Sequence, residues 1–171
     1  MAGSNMMVRG NLKEVGIYMQ KIVPNLWFDD KAEEAVNFYV SVFKEAEVKN
    51  VARYTEGGMG ELGKVMTISF VLNGQNFMAI NGGPHFTFTP AVSLSIACET
   101  QEEVDHYWNQ LSEGGKPGQC GWLEDKYGLS WQVVPTALGR LMQDSDAEKV
   151  QRVTKAMLSM KKLDIEQLTQ A

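Results

Sequence analysis

The 171-residue sequence is poor in cysteine, in histidine and in long apolar runs. Its two cysteines, Cys98 and Cys120, match no zinc-site spacing and are too few for a disulfide framework. No apolar run approaches the roughly 18 residues that a membrane-spanning helix needs. The net charge is −5 and no basic cluster is present, so nucleic acid and anionic membranes are poor partners. We therefore expect a cytoplasmic protein that binds neither nucleic acid nor membranes.

The length of the chain is typical of one domain, which buries roughly 70% of the surface of the unfolded chain. We expect residues 19–171 to form that single domain. Residues 1–18 begin with Met-Ala-Gly-Ser and lack the basic start and apolar stretch of a signal peptide. We interpret them as a tag or a flexible extension and expect the natural start at Met19.

The chain contains an internal repeat at an offset of about 69 residues. Each copy has an apolar run, then a pair of glutamates, then a pair of aromatic residues. The apolar runs are 23–28 and 92–97, the glutamates 33–34 and 102–103, and the aromatic residues 38–39 and 107–108. Two copies are too few for a solenoid. The repeat therefore predicts two similar halves that pack as a pseudo-symmetric pair, with a site between them.

Hydrophobic periodicity predicts the same order of elements, βαβββ, in both halves, with the second half abbreviated. In the first half Asp30 is expected to cap the helix, with Glu33 closing a capping box, and Asn73-Gly74 is a strong hairpin signal. In the second half Thr100 is expected to cap the helix. Strands are predicted at about 21–28, 46–55, 64–72 and 75–81 in the first half and at about 91–98, 119–124 and 129–134 in the second.

Beyond Pro135 the pattern becomes helical. A short helix is predicted at about 137–143, a longer one begins at Asp144 or Asp146 and runs to about residue 160, and a last turn follows at about 163–168. The domain is thus expected to consist of a first module at about 20–82, a second module at about 90–135 and C-terminal helices at about 136–170.

Several segments match the motifs of a known family, namely residues 28–29, 32–35, 38–39, 81–84, 98–105, 120–123 and 127–135. They resemble the vicinal oxygen chelate superfamily, also called the glyoxalase/bleomycin-resistance/dioxygenase fold. Within it the chain is similar to the PhnB-like branch, often labelled demethylubiquinone methyltransferase-like. The resemblance covers about 20–170. It implies an α+β fold of paired βαβββ modules, whose curled mixed or antiparallel sheets surround a pocket.

Metal enzymes of this superfamily place a His, Glu or Gln on each of four strands, facing the pocket. The repeat puts these four places near Pro24, Met78, Ser93 and Gln132. A register shifted by one residue would instead use Asn25, Phe77 or Ala79, and Leu94. Neither set supplies a carboxylate or an imidazole, and iron, nickel or zinc needs several such donors. We therefore expect no metal and no cofactor.

Aromatic and amide side chains are the remaining candidates for a site. We expect a ligand pocket lined by Trp27, Met78, Trp122 and Gln132, with Asn25 or Gln132 donating or accepting the orienting hydrogen bond and His85 at the rim. The alternatives are that the aromatic residues belong to the core, that the amides make structural hydrogen bonds, and that His85 is an exposed loop residue.

Two hypotheses for function remain. The first is a protein that binds a small, partly apolar molecule between its modules without a metal. The second is a metal-independent enzyme, which would need a titratable group in the pocket; His85, Tyr54, Glu124 and Asp125 are the residues available.

A methyltransferase of the doubly wound type requires a glycine-rich turn after its first strand. Residues 28–31 contain no glycine, so we expect no binding of S-adenosylmethionine. We also expect a homodimer, because two half-barrels and a Met-rich helix leave apolar surface that one core need not cover. Its contacts are expected at sheet edges or along the helix at about 150–160.

Overall fold

The computed structural model describes residues 20–58 and 60–171. The expected tag at 1–18 and the expected start at Met19 lie outside these ranges. The first module contains β1 (Asn25–Phe28), α1 (Ala32–Val42), β2 (Ala46–Arg53), β3 (Val65–Leu72) and β4 (Gln75–Asn81). The second contains β5 (Leu94–Cys98), α2 (Gln101–Ser112), β6 (Lys116–Pro117), β7 (Trp122–Glu124) and β8 (Ser130–Pro135). Then follow α3 (Thr136–Leu141), α4 (Ala147–Ser159) and α5 (Ile165–Gln170).

Each module forms its own four-stranded mixed sheet. The strand orders are β1-β4-β3-β2 in the first sheet and β5-β8-β7-β6 in the second. In both sheets the first strand pairs in parallel with the last, and the other pairs are antiparallel. The predicted α+β fold of two βαβββ modules with C-terminal helices is confirmed.

Alternation along the strands gives each sheet two different faces. In β1 the side chains of Leu26 and Phe28 are buried, whereas Asn25 is exposed and Trp27 is half-buried. We call the buried face, which packs against the helices, the inner face and the opposite one the outer face. Gln132 lies on the outer face of the second sheet, between the buried Trp131 and Val133.

Three local predictions, one turn and two helix caps, are confirmed. Asn73 and Gly74 have φ values of 44° and 80°, as a two-residue hairpin turn requires. The side chain of Thr100 accepts a hydrogen bond from the N–H of Glu103, and Asp146 caps α4.

The expected capping box of α1 is wrong. Lys31 occupies the cap position and makes no side-chain capping bond. Instead, the N–H of Ala32 donates to Oδ1 of Asn81 at 2.8 Å. The helix is capped from the end of β4, because the parallel pairing of β1 and β4 brings Asn81 beside Phe28.

The predicted strand at 119–124 is also wrong at its start. Cys120 and Gly121 have positive φ values of 56° and 82°, so the chain turns there and β7 begins only at Trp122. A β-carbon on Gly121 would lie 2.6 Å from the carbonyl oxygen of Val133, which explains why glycine is needed at that position.

The two modules are joined through a buried carboxyl group. Asp125, in the turn after β7, is only 2% exposed. It accepts hydrogen bonds from the hydroxyl group of Tyr39 on α1 and from the indole N–H of Trp131 on β8, both at 2.8 Å. The N–H groups of Tyr127 and Leu129 donate to its other oxygen. Burial raises the pKa of Asp125, and these four hydrogen bonds partly offset that effect.

Aromatic rings surround this carboxyl group and merge the cores of the two modules. The ring centroids of Tyr39 in α1 and of Phe43, the residue after α1, lie 5.5 and 5.6 Å from that of Trp131. The ring centroid of Phe43 lies 5.0 Å from that of Tyr107 in α2. The buried side chains of both inner faces therefore form one continuous cluster.

The C-terminal helices have a smaller core of their own. It consists of Leu138, Val153, Leu163 and Leu168, and Val134 of β8 packs against it. Among the described helices, none is long and apolar enough to span a membrane.

The Tyr39–Asp125 hydrogen bond gives a first prediction. Tyr39→Phe should lower the free energy of unfolding by about 1–3 kcal/mol, because a buried carboxyl group loses a donor. Tyr127→Phe is the matched control: it removes a hydroxyl group that donates to the exposed side chain of Glu34, and its effect should be much smaller. Denaturant unfolding of both variants measures the difference. Equal losses would show that the bond between the modules contributes no special stability.

Candidate functional site

A cavity lies at one end of the first sheet, where β1 and β4 end and β3 begins. Its volume is about 860 Å³. We call it the first-module cavity. Its lining comes from the ends of all four strands and from the loops after β2 and β4, and it includes the side chains of Trp27, Tyr54 and Ile80.

Two aromatic side chains, each seated on a glycine, form walls of this cavity. A β-carbon on Gly82 would overlap the indole ring of Trp27, and one on Gly60 would overlap the phenol ring of Tyr54. The indole N–H of Trp27 donates to the carbonyl oxygen of Gly83 at 2.9 Å. Both rings are therefore held close to the backbone, which leaves space in front of them.

Asn81 connects the parts of the cavity. Its carbonyl oxygen accepts a hydrogen bond from the hydroxyl group of Tyr54 at 2.7 Å, and its side-chain amide donates to the carbonyl oxygen of Val65 at 3.0 Å. Its Oδ1 also caps α1 through Ala32. The side chain of Asn81 thus fixes the start of β3 and the start of α1, and its backbone carbonyl group holds the tyrosine wall.

Charged groups of both signs surround the opening. Arg53 lies 3.5 Å from Glu33 and also donates to the carbonyl oxygen of Gly63. Lys64 lies 2.6 Å from Glu61, which holds the pKa of this lysine above its usual value. Other polar residues of the lining are Asp29, Asp30 and His85, and all three are exposed.

Of the six predicted ligand-binding residues, three belong to the first module, one to the loop after β4 and two to the second module. Trp27 and His85 both line the first-module cavity. Asn25 and Met78 are cross-strand partners on the first sheet. Asn25 is exposed, and its amide makes a local hydrogen bond to the carbonyl oxygen of Val23.

The remaining two residues lie together on the second sheet. Trp122 and Gln132 are cross-strand partners and both are half-buried. The side-chain amide of Gln132 donates to the hydroxyl oxygen of Ser93 at 2.8 Å. Trp122 and Gln132 belong to the outer face, and they do not line the first-module cavity.

The strand pairing also places the positions considered for metal ligands. Asn25 pairs with Met78, and Ser95 pairs with Gln132. Met78 and Gln132 belong to the first register considered from the sequence and Asn25 to the shifted one, whereas Ser95 belongs to neither. Within residues 20–58 and 60–171, no group of three or more His, Cys, Asp or Glu side chains is arranged to hold a metal ion.

Two titratable groups considered for catalysis lie away from the cavity. Asp125 is in the core between the modules, and Glu124 pairs with Lys116 at 2.6 Å. Cys98 is fully buried, and burial raises the pKa of its thiol to about 12, so it remains protonated and unreactive. Of the groups proposed, only Tyr54 and His85 line the cavity.

A second cavity, of about 480 Å³, lies between the modules. It is lined by Phe43 and Phe77, by Trp131, and by residues 93–97 along β5. Most of these large side chains belong to the core. The first-module cavity is the better candidate, because it is larger and brings polar groups together with aromatic walls.

Charged residues of the cavity were missed in the sequence analysis. Asp29, Arg53 and Lys64 are far apart in the chain and resemble ordinary surface residues. They meet only because β1, β2 and β3 present one common end. The glycines beside the aromatic walls, Gly60 and Gly82, were a usable signal, since each permits a close ring contact.

The family model described as 3-demethylubiquinone-9 3-methyltransferase matches residues 20–134. The chain belongs to this family. Among solved structures, it is similar to the PhnB protein from Bacillus cereus, with 45% identity and a TM-score of 0.63 over 68% of this chain and 100% of that chain. A protein from Pseudomonas aeruginosa is 21% identical, with a TM-score of 0.59 over 68% of this chain and 97% of that one. The comparison with curated proteins gave no match.

A glyoxylase/bleomycin resistance protein/dioxygenase domain from Frankia is also similar, with 11% identity and a TM-score of 0.45 over 68% of this chain and 92% of that one. The expected PhnB-like branch of the vicinal oxygen chelate superfamily is confirmed. The family match ends at residue 134, just before α3 begins.

The contact between Gly82 and Trp27 gives a second prediction. Gly82→Ala should displace the indole ring and destabilise the protein by about 1–3 kcal/mol, as overpacking does. The fluorescence of Trp27 should change at the same time. Gly139→Ala in α3 is the control: its new methyl group would meet nothing within 4 Å, and alanine is favoured over glycine in a helix. Equal stability and fluorescence in both variants would contradict the assignment of Trp27, seated on Gly82, as a wall of the site.

Proposed function

We propose that this protein binds a small, partly apolar molecule in the first-module cavity without using a metal. The observation that carries the proposal is the pair of glycine-seated rings, Trp27 and Tyr54, which face a space of about 860 Å³. Sites for small molecules are usually hollows of ~300–1,000 Å³ with apolar walls and few polar groups.

The lining also suggests the shape of the ligand. The rings of Trp27 and Tyr54 offer flat apolar surface, whereas the charged residues lie around the opening. A molecule with an apolar body and one polar end would match this arrangement. The apolar body would lie against the rings, and the polar end would remain near Asp29, Arg53 or Lys64.

Binding without catalysis is favoured over a metal-independent enzyme. The hydroxyl group of Tyr54 already donates to Asn81, and His85 is exposed at the opening. Neither is held beside a second polar group that would activate it as a nucleophile or base. The enzyme remains the alternative, with His85 as the residue to test.

The activity in the family's name receives no support from this fold. The first strand is followed by Asp29, Asp30 and Lys31, with no glycine-rich turn for a nucleotide. We propose that S-adenosylmethionine is not a ligand. The metal-free mode is likewise a proposal; it is supported by the residue types at Asn25, Met78, Ser95 and Gln132, which include no carboxylate or imidazole.

In this proposal Trp122 and Gln132 contribute to the binding site of the other copy in a homodimer. They lie on the outer face of the second sheet, away from the first-module cavity of the same chain. The outer face of one copy's second sheet would cover the first-module cavity of the other copy. The open edges of β1 and β5 and the exposed side chain of Val92 support such an assembly. The cavity would then lie between modules of two copies, whereas the repeat predicted a site between the two halves of one chain.

The third prediction concerns ligand binding. A thermal-shift screen of small aromatic and aliphatic compounds, with S-adenosylmethionine included, should give stabilising compounds other than S-adenosylmethionine. For such a compound Trp27→Leu should weaken binding by about tenfold. Gln132→Leu should weaken it by about 1–3 kcal/mol if the partner's sheet covers the site.

Calorimetry measures these affinities, with Gln170→Ala as the control, because that exposed amide bonds to Glu166 within α5. Unchanged binding in Trp27→Leu would exclude the first-module cavity. If binding is weakened in Trp27→Leu but unchanged in Gln132→Leu, the ligand binds in the first-module cavity and the partner's second sheet does not contribute to the site. Saturable binding of S-adenosylmethionine would restore the methyltransferase activity as a hypothesis.

The fourth prediction concerns assembly. Sedimentation at micromolar concentration should give a species of about twice the 19.1 kDa chain mass. Val92→Glu should dissociate it if the edge of β5 forms the contact, whereas Leu158→Glu should do so if α4 forms it. Both side chains are well exposed in the single chain, at 71% and 61%. A species near 19.1 kDa for the unmodified protein would contradict the homodimer.

A further inference from the structure

The second module has a place that corresponds to the first-module cavity. In the first module the cavity lies at the ends of β1 and β4 and at the start of β3. The repeated topology puts the same place of the second module at the ends of β5 and β8 and at the start of β7. Residues 160–165, which connect α4 to α5, contact the elements around this place. We call them the C-terminal segment.

Backbone hydrogen bonds join the C-terminal segment to the turn before β7. The N–H of Cys120 donates to the carbonyl oxygen of Met160, and the N–H of Gly121 donates to that of Lys161, both at 2.8 Å. These two N–H groups are adjacent, and both residues have positive φ. The corresponding loop of the first module instead bonds to itself, through Tyr54.

A side chain at the start of α2, shortly after β5, holds the other end of the segment. The amide of Gln101, the first residue of α2, donates to the carbonyl oxygen of Leu163 at 3.2 Å and accepts from the N–H of Ile165 at 2.8 Å. Lys162 pairs with Asp105 of the same helix at 2.6 Å. The segment is therefore fixed on both sides of the place it covers.

Leu163 supplies the apolar part of this contact. It is fully buried, and its side chain lies so close to Gly121 that a β-carbon there would be 3.1 Å from its Cδ1. Val134, on the outer face of β8, packs against the cluster that contains Leu163. Backbone carbonyl groups and one apolar side chain together resemble the polar and apolar parts of a bound small molecule.

The C-terminal segment lies outside the part of the chain that the family match covers, since the match ends at residue 134. The last strand of the two βαβββ modules, β8, ends at Pro135, before the C-terminal segment begins. The segment is therefore an addition to the modules, and the second module's cavity position would be open without it.

We infer that the C-terminal segment acts as an intramolecular ligand, which closes the second module's counterpart of the first-module cavity. Each chain then keeps one open cavity of this kind, and release of the segment opens a second. The inference extends the proposed function, since it sets the number of sites, but it concerns a different place in the molecule and can be tested separately.

Gln101→Ala is the first test, because it removes both hydrogen bonds that hold Leu163 and Ile165. Gln170→Ala is the matched control, since that amide bonds only to Glu166 within α5. The thiol of Cys120, which is half-buried, is the reporter, because Cys98 is buried. Its reaction with a neutral thiol reagent should be about tenfold faster in Gln101→Ala than in the control.

The number of binding sites is the second readout. The fluorescent probe 1-anilinonaphthalene-8-sulfonate should bind to Gln101→Ala with one more site per chain than to the unmodified protein. Lys162→Ala, which removes a half-exposed ion pair, is the milder variant if Gln101→Ala fails to fold. A faster thiol reaction without an additional probe site would overturn the inference and leave the segment a purely structural element.

The same measurements separate this inference from the proposed function. An additional probe site in the variant, with no probe or ligand bound by the first-module cavity, would support the C-terminal segment as an intramolecular ligand and contradict the proposed function. Equal thiol reactivity in Gln101→Ala, Lys162→Ala and the control would contradict the inference alone.

Discussion

The buried carboxyl group of Asp125 is the interaction on which the arrangement of the two modules depends. It belongs to the second module, yet one of its four donors, Tyr39, comes from the helix of the first. A buried carboxyl group must keep its donors, because an unmatched one carries a large desolvation cost. The position of α1 relative to β8 is therefore fixed by a polar requirement, and the aromatic rings around it fill the remaining space.

That arrangement directs both outer faces away from the shared core. The inner faces are used by the helices and by the contact between the modules. Apart from the second cavity between the modules, the outer faces and the ends of the sheets remain for binding. At the end of the first sheet, Asn81 joins β3, β4 and α1, so the cavity there is formed by the most tightly connected part of the module. The candidate site therefore lies on a rigid framework, as an oriented small-molecule site requires.

Much of the fold could be predicted from the sequence, because its signals are local. The paired repeat, the Asn73-Gly74 turn and the Thr100 cap depend on residues close together in the chain. The cap of α1 could not be predicted, since Asn81 reaches it only through the pairing of distant strands. The predicted start of the strand at about residue 119 was wrong for a similar reason, because the turn at Cys120 and Gly121 is hydrogen-bonded to residues forty positions later.

Only part of the candidate site could be predicted from the sequence. Trp27 and His85 were selected from residue type and repeat position, and both line the cavity. Whether they bind a ligand remains a prediction. Arg53 and Lys64 gave no such signal, because charge alone does not distinguish a surface residue from one at a cavity opening. Their roles depend on the spatial convergence of strand ends, which one sequence does not record.

The parallel pairing of the first and last strands in each module has a consequence for synthesis on the ribosome. β1 cannot find its partner until β4 has emerged, and β5 must likewise wait for β8. The first module can then assemble while the second is still being made. The hydrogen bonds that Cys120 and Gly121 make with residues 160 and 161 form only after those residues have been translated. Two backbone N–H groups of the second module therefore stay without these partners until about forty further residues have been made.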